Sequence, residues 1–235
     1  MSMEYNDALK RLKEERIRLQ LAQEQISRYM RMSQSHYSKA ELGNRRFTYY
    51  ELQCLCETEV DVYYVYTGRR LTNLHGEVWK ACNYKELLYL LSIICVVIMY
   101  ICQNEILDQS ERQRIREMYR IISETLYQSN KNIFYQVRKL FEYTQQEMAE
   151  RLEVDIKKLR SLENGKALPD SELVWKLYKE FNISPAIVLK DKYGLICEIS
   201  ALLVLLRKEE REATVKYLKM CKKAFLKTTL AEEIT

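Results

Sequence analysis

The stretch QQEMAERLEVDIKKLRSLENGK at residues 145–166 is the strongest indication of the fold. The stretch QEQISRYMRMSQSHYSKAELGN at residues 23–44 repeats its pattern. Arg, Gln, Glu and Gly recur with the same gaps at a constant offset of 122 residues, the difference between positions 16 and 138. Four coincident polar or glycine positions at one offset indicate two copies of one small helical unit. The coincident positions are Arg16 and Arg138, Gln23 and Gln145, Glu41 and Glu163, and Gly43 and Gly165, with the small residues Ser27 and Ala149 also at matching places.

The residues around these stretches predict five short helices in each copy. Leucines recur at helical spacing over residues 4–19, which is typical of an amphipathic first helix. Ser33 can cap the third helix through its hydroxyl, and Asp155 stands at the equivalent place in the second copy. We therefore predict a first block at residues 1–68 and a second block at residues 131–191, each built from five helices.

The composition indicates an all-α protein without catalytic chemistry. Only five Gly and two Pro interrupt 235 residues, and the formal net charge of +5 permits DNA binding without demonstrating it. Seven Cys without a CxxC pair and two His offer no zinc-ligand spacing. The sequence has no glycine-rich phosphate loop and no nucleophile–base set. We expect no enzyme activity, no cofactor and no metal, and a cytoplasmic protein, because no basic and apolar leader opens the sequence.

The stretch LLYLLSIICVVIMYIC at residues 87–102 contains no charged residue. It is short for a bilayer core of about 30 Å, which needs roughly 20 residues. A helix that is apolar on all sides can also be buried by neighbouring helices or by a second subunit. The pattern favours such a buried or dimer-forming helix over a membrane span, with a strand as the third alternative. We place the stretch in a helical connector, residues 69–130, and predict a helical appendage at residues 192–235.

The stretches RIRLQLAQEQISRYMRMSQSHYSKAELGN and RKLFEYTQQEMAERLEVDIKKLRSLENGK, residues 16–44 and 138–166, resemble the helix-turn-helix of the XRE family of Cro and lambda-repressor-like domains. The second stretch carries the characteristic T-Q-x-E-x-A and L-E-N-G-K runs. The resemblance implies an all-α fold with two lambda-repressor-like five-helix domains that are joined and followed by helical appendages. It also implies a sequence-specific regulator of transcription that binds double-stranded DNA, and we expect a repressor that occupies an operator.

The resemblance also implies roles for individual residues. The third helix of such a domain enters the major groove, where base edges present distinguishable donors and acceptors. The glutamine that opens the second helix would donate to a phosphate. The Arg–Glu pairs Arg16–Glu41 and Arg138–Glu163 would hold the third helix in place. The expected DNA-binding residues are Gln23, Gln34, Ser35, His36, Lys39, Asn44, Arg45 and Arg46 in the first block, and Gln145, Ile156, Lys157, Lys158, Arg160, Ser161 and Lys166 in the second, with Ser38 near enough to take part. Of these, Asn44, Arg45, Arg46 and Lys166 follow the third helices and would contact the phosphate backbone.

Two departures from the family pattern bear on this interpretation. Arg31 and Glu153 stand where the family often has glycine in the turn between the second and third helices, so we expect left-handed backbone there at a cost of about 1 kcal/mol each. Ile156 replaces a polar base-contacting residue. This change and the apolar appended helices motivate an alternative function: a protein-interaction adaptor or antitoxin-like partner in which one or both units bind protein. The appended helices would also support a homodimer.

Overall fold

The computed structural model describes residues 4–70, 76–101, 107–127 and 132–232. Within these ranges the chain forms fifteen α-helices and no strand, so the predicted all-α fold is confirmed. The first block contains α1 (Tyr5–Arg18), α2 (Gln23–Tyr29), α3 (Gln34–Glu41), α4 (Tyr49–Cys56) and α5 (Val62–Thr67). Then follow α6 (Gly76–Trp79), α7 (Tyr84–Ile101) and α8 (Gln109–Tyr127). The second block contains α9 (Ile133–Leu140), α10 (Gln145–Arg151), α11 (Ile156–Glu163), α12 (Ser171–Phe181) and α13 (Pro185–Leu189), before α14 (Lys192–Val204) and α15 (Lys208–Glu232).

These helices belong to two compact units. Unit 1 combines residues 1–70 with residues 130–194, so both blocks lie in one unit. Unit 2 combines residues 71–129 with residues 195–235. The sequence predicted a connector and a C-terminal appendage as separate segments, whereas the structure combines most of both in unit 2.

Capping residues determine where the short helices of unit 1 begin. The Ser33 side chain accepts the amide of His36 at the start of α3, and Asp155 accepts the amide of Lys158 at the start of α11. Both predicted caps are confirmed, each with a contribution of about 1 kcal/mol. As a result α3 and α11 begin and end at residues that differ by the same offset of 122, since 156 − 34 and 163 − 41 are equal.

The turn between the second and third helices is left-handed in both blocks. Arg31 has φ 55° and Glu153 has φ 51°, which confirms the predicted backbone at these positions. The turn before the second helix is also left-handed, at Gln20 and Glu142, with φ 56° and 58°. A side chain at positive φ is strained, so packing elsewhere in each block must hold these turns.

The two blocks pack directly on each other through their last two helices. Helix α5 lies against α12 and α13, and α13 also contacts α4. At this interface the Ser171 amide donates to the Phe47 carbonyl (2.9 Å), and the Phe47 amide donates to Ser171 Oγ (3.0 Å). The hydroxyl of Tyr5 also bonds to Ser171 Oγ, and both Phe47 and Ser171 are buried. Each block of about 60 residues is small for independent stability, and this packing supports both.

A buried carboxylate precedes α14 in unit 1. Asp191 is 3% exposed and accepts backbone hydrogen bonds from Tyr193 and Gly194. Burial raises the pKa of Asp191 to about 6, the two backbone bonds oppose this rise, and the nearby charge of Asp61 adds to it. Among the residues that the structure describes, its second oxygen, Oδ1, has no hydrogen-bond partner. The ionised form of Asp191 is therefore costly in the folded protein.

In unit 2, the apolar stretch is a helix over its described part. Helix α7 packs along α8 and also contacts α15, and its buried side chains include Leu87, Leu91 and Ile94. The strand alternative is therefore wrong for residues 87–101, and Cys102 lies outside the described residues. The helix is long and apolar enough to cross a bilayer, with a mean hydropathy of 1.9 over 18 residues, but length and composition alone are weak grounds for a span.

Candidate nucleic-acid interface

A buried polar cluster joins the first three helices of the second block. The Glu163 carboxylate at the end of α11 accepts Arg138 Nε and Nη2 (3.2 Å for Nη2), and it accepts Gln145 Nε2 at 2.8 Å. Arg138 Nη1 donates in addition to the carbonyl of Tyr143 (3.3 Å). Both side chains of the ion pair are at least nine-tenths buried. The cluster therefore fixes the end of α11 relative to α9 and α10.

The first block contains the same cluster with one further donor. Glu41 accepts Arg16 Nε at 2.8 Å and Nη2 at 3.2 Å, Gln23 Nε2 at 2.7 Å, and the Tyr37 hydroxyl at 3.0 Å. Burial raises the pKa of Glu41, but the bonds from Arg16, Gln23 and Tyr37 outweigh burial, so the net pKa lies below its ordinary value. Tyr37 was not predicted from the sequence, although its spacing of four residues from Glu41 on one helix was a usable signal.

These clusters give the two glutamines partners inside the protein. Because a carboxylate only accepts hydrogen bonds, the amide nitrogen of Gln23 or Gln145 must face the glutamate. Gln145 Oε1 also accepts Arg160 Nε at 3.1 Å, which connects Arg160 to the cluster. Each amide nitrogen keeps a second hydrogen, so the phosphate contact expected of these residues stays a prediction.

The third helix of each block has a buried face and an exposed face. In α3 the side chains of Tyr37 and Ala40 are buried, and in α11 those of Leu159 and Leu162 are buried. Most of the predicted base-contacting residues lie on the exposed faces: Gln34, Ser35, His36 and Lys39 on α3, and Lys157, Lys158 and Arg160 on α11, whereas Ser38, Ile156 and Ser161 are half-buried. Neither outward face is covered by other described parts of unit 1.

The predicted phosphate contacts after the third helices differ between the blocks. Asn44 and Lys166 are exposed. Arg45 forms a bidentate pair with Glu51, at 2.9 and 2.7 Å, and burial of the pair is only partial. Arg46 donates to Glu172 of the second block (2.6 Å) and lies over the ring of Tyr5. The structure therefore gives both arginines acidic partners, and Arg46 belongs to the interface between the blocks.

Exposed apolar side chains distinguish the first block from the second. Ile17, Tyr29, Leu42 and Tyr50 are each more than half exposed. At the offset of 122 residues, the second block has polar or charged residues at all four places. These residues are Lys139, Arg151, Asn164 and Glu172.

The described residues offer no metal site, since they contain no group of three or more His, Cys, Asp or Glu that could hold an ion.

The thiol of Cys56 is also unsuited to redox sensing. Burial raises its pKa well above the usual value, and the charge of Asp191 raises it further. A reactive thiol needs the opposite shift.

Residues 132–195 match the family model of a helix-turn-helix domain. The matched range covers α9–α13 and the first residues of α14, and it contains the Arg138–Glu163–Gln145 cluster. The second block is therefore a helix-turn-helix domain, a type of domain that is common in DNA-binding regulators. Comparison with curated proteins and with solved structures gave no match.

Proposed function

We propose that the protein is a sequence-specific regulator of transcription of the XRE type, which binds double-stranded DNA through both blocks and represses by occupying an operator. The observation that carries the proposal is the recurrence of one buried Arg–Glu–Gln cluster, in which Arg and Glu are 25 positions apart in each block. In both blocks the cluster supports a third helix whose polar face is open to solvent. We infer from this that the first block is a second helix-turn-helix domain.

The packing of the blocks suggests how one chain engages two half-sites. Dimeric helix-turn-helix proteins place two recognition helices about one helical turn of DNA apart, roughly 34–36 Å. Here α5 and α13 hold α3 and α11 within one compact unit, so one chain would supply both helices. The outward residues of α3 and α11 differ, with Gln34 and Ser35 on one and Ile156 and Lys157 on the other. The operator would therefore consist of two unlike half-sites and would not be palindromic.

Individual base contacts follow from side-chain chemistry. Gln34 can present a donor and an acceptor to adenine, and Lys157 can donate to guanine, each with about 1–3 kcal/mol of discrimination against the wrong base. Both side chains are exposed. We propose Gln34 and Lys157 as the main specificity residues of their blocks.

Selection of bound duplexes from a random pool, with the full chain, tests this proposal. We expect an enriched site with two unlike half-sites, and Gln34→Ala should relax the preference in one half-site while Lys157→Ala relaxes it in the other. Fluorescence anisotropy at two salt concentrations then measures affinity for the enriched site. Equal affinity for enriched and scrambled duplexes would contradict the proposal.

The exposed apolar residues of the first block favour a second candidate, a protein-interaction role for this block. Tyr29, Leu42 and Tyr50 present apolar surface where DNA phosphates would need cations. The variant Tyr29→Arg/Tyr50→Glu gives the first block the residues of the second at these places. If this variant keeps its DNA affinity and loses a stoichiometric protein partner, the interaction role is supported. If no partner co-purifies with either form, it is not.

We further propose that the protein is cytoplasmic and non-enzymatic, and that unit 2 supports a homodimer. Val96, Tyr100 and Ile101 on α7 are exposed apolar side chains that a second subunit could cover. Sedimentation equilibrium with Tyr100→Glu as the comparison tests the dimer. Recovery of the chain in the membrane pellet would instead support a membrane-spanning α7.

A further inference from the structure

The third helix of the second block carries more exposed cations than the third helix of the first block. At the offset of 122 residues, each cation on and after α11 corresponds to a residue of the first block that carries no fixed positive charge. Lys157, Lys158, Arg160 and Lys166 correspond to Ser35, His36, Ser38 and Asn44. All four cations are exposed, and among the described contacts only Lys158 has an acidic partner, Asp170 at 3.3 Å.

The first block has cations of its own: Arg31 in the turn before α3 is exposed, and the two arginines after α3 are paired within the protein. Arg45 and Arg46 pair with Glu51 and Glu172, as described above. Lys39 is the only lysine or arginine in α3, and no acidic partner of Lys39 is described. The exposed faces of the third helices thus carry about one cation in the first block and three in the second.

Three acidic residues near α11 are bonded to backbone amides or to a lysine, and none of the three is a described partner of Lys157, Arg160 or Lys166. Asp155 accepts the amide of Lys158 at 2.8 Å, and Glu147 accepts the amide of Thr144 at 2.7 Å, so both carboxylates are bonded at helix N-termini. Glu153 in the turn is paired with Lys176 at 2.8 Å. Lys157, Arg160 and Lys166 are left as the outward charges of this surface.

We propose that the second block supplies most of the phosphate contacts, through Arg160 and Lys166, while the first block contacts bases through uncharged side chains. This inference rests on the proposed function, since it concerns the same DNA surface. Each neutralised phosphate releases counterions, so the affinity of the chain depends on salt mainly through the second block. The first block would add sequence discrimination with little affinity of its own.

The test is the slope of log K against log salt concentration, measured with the full chain and the duplex selected above. Removing two phosphate contacts in Arg160→Gln/Lys166→Gln should reduce the magnitude of the slope by about 1.8, at roughly 0.9 per phosphate. Between 0.05 and 0.2 M salt the variant would then lose about 12-fold less affinity than the wild type. Lys39→Gln should reduce the slope by at most about 0.9. Circular dichroism and thermal unfolding check that each variant is folded.

A matched variant adds charge to the first block. Ser35→Lys/Asn44→Lys places the cations of the second block at the equivalent exposed positions and should steepen the slope by nearly 2. An unchanged slope would overturn the part of the proposal that places the first block on the duplex.

Two outcomes separate this inference from the proposed function. If no duplex is enriched and all are bound alike, the proposed function fails. If the enriched duplex is bound but the double variant keeps the wild-type slope, or Lys39→Gln changes the slope as much, the division between the blocks is wrong while the proposed function stands.

Discussion

Removal of the Glu163 carboxylate should destabilise unit 1 far more than removal of an exposed charge. Glu163→Ala leaves the guanidinium of Arg138, only 10% exposed, with one carbonyl partner at 3.3 Å in place of the carboxylate. Breaking a buried pair in this way costs about 3–5 kcal/mol. That is a large part of the roughly 5–15 kcal/mol that stabilises a typical domain. The cost arises from the unpaired buried charge and not from the lost contact alone.

Tryptophan fluorescence during urea unfolding can measure this loss in unit 1. The chain has two Trp, of which Trp175 lies in unit 1 and Trp79 in unit 2. Trp79→Phe therefore makes the signal specific for unit 1. In the described structure Trp79 Nε1 has no hydrogen-bond partner, so this background substitution removes no hydrogen bond.

Two controls make the result decisive. Glu24→Ala breaks an exposed pair with Arg28 on α2 and should cost only about 0.3–0.5 kcal/mol. Arg138→Met/Glu163→Leu removes both buried charges and should recover most of the stability that Glu163→Ala loses. A loss below about 1 kcal/mol for Glu163→Ala, or a double variant as unstable as the single one, would refute the assignment of the pair as a buried brace.

Three further predictions concern unit 1. Asp191→Asn should stabilise the protein above pH 6 by up to about 3 kcal/mol, because the pKa of Asp191 is raised to about 6 from 3.8 and each unit corresponds to about 1.4 kcal/mol. Between pH 3.8 and about 6 the folded state then binds more protons than the unfolded state, so the wild type loses stability as pH rises through this window and the variant does not. Urea titrations at pH 4, 6 and 8 check this, and a stability difference that does not change with pH would contradict it. Arg31→Gly should stabilise the protein by about 1 kcal/mol, because glycine adopts positive φ without strain. Glu153→Gly should stabilise it less, because this variant also loses the ion pair with Lys176. Equal gains of the two variants in melting experiments would argue against this account. Ser171→Ala leaves the buried Phe47 amide unpaired and should cost about 1–3 kcal/mol in the same assay, and an unchanged melting temperature would show that this contact between the blocks is dispensable.

The local features of the helix-turn-helix unit could be predicted from the sequence because they depend on residues close together in the chain. The caps at Ser33 and Asp155 act on amides three residues later. The left-handed turns at Arg31 and Glu153 were expected because the XRE pattern often has glycine there. The Arg–Glu pairs join positions 25 apart and were predicted from the repeat of the pattern together with the resemblance to the XRE family.

The partners of Arg45 and Arg46 could not be predicted in this way. A basic run after the third helix suggested phosphate contacts, but Glu51 and Glu172 bind these arginines in the structure. Glu172 is 126 residues from Arg46, and no spacing rule connects positions so far apart. The expectation for Asn44 and Lys166, which are exposed, is unaffected.

Local sequence signals predict the helical class, the repeated unit and the ends of its short helices, because periodicity, capping groups and glycine act over a few residues. Contacts made after folding place the two blocks in one compact unit, pair some of the cations with carboxylates, and bury one side of the apolar helix α7. These properties depend on which surfaces meet after the chain has folded. Burial and charge pairing are set by neighbours in space, and at the interface between the blocks those neighbours lie more than a hundred residues apart in the chain.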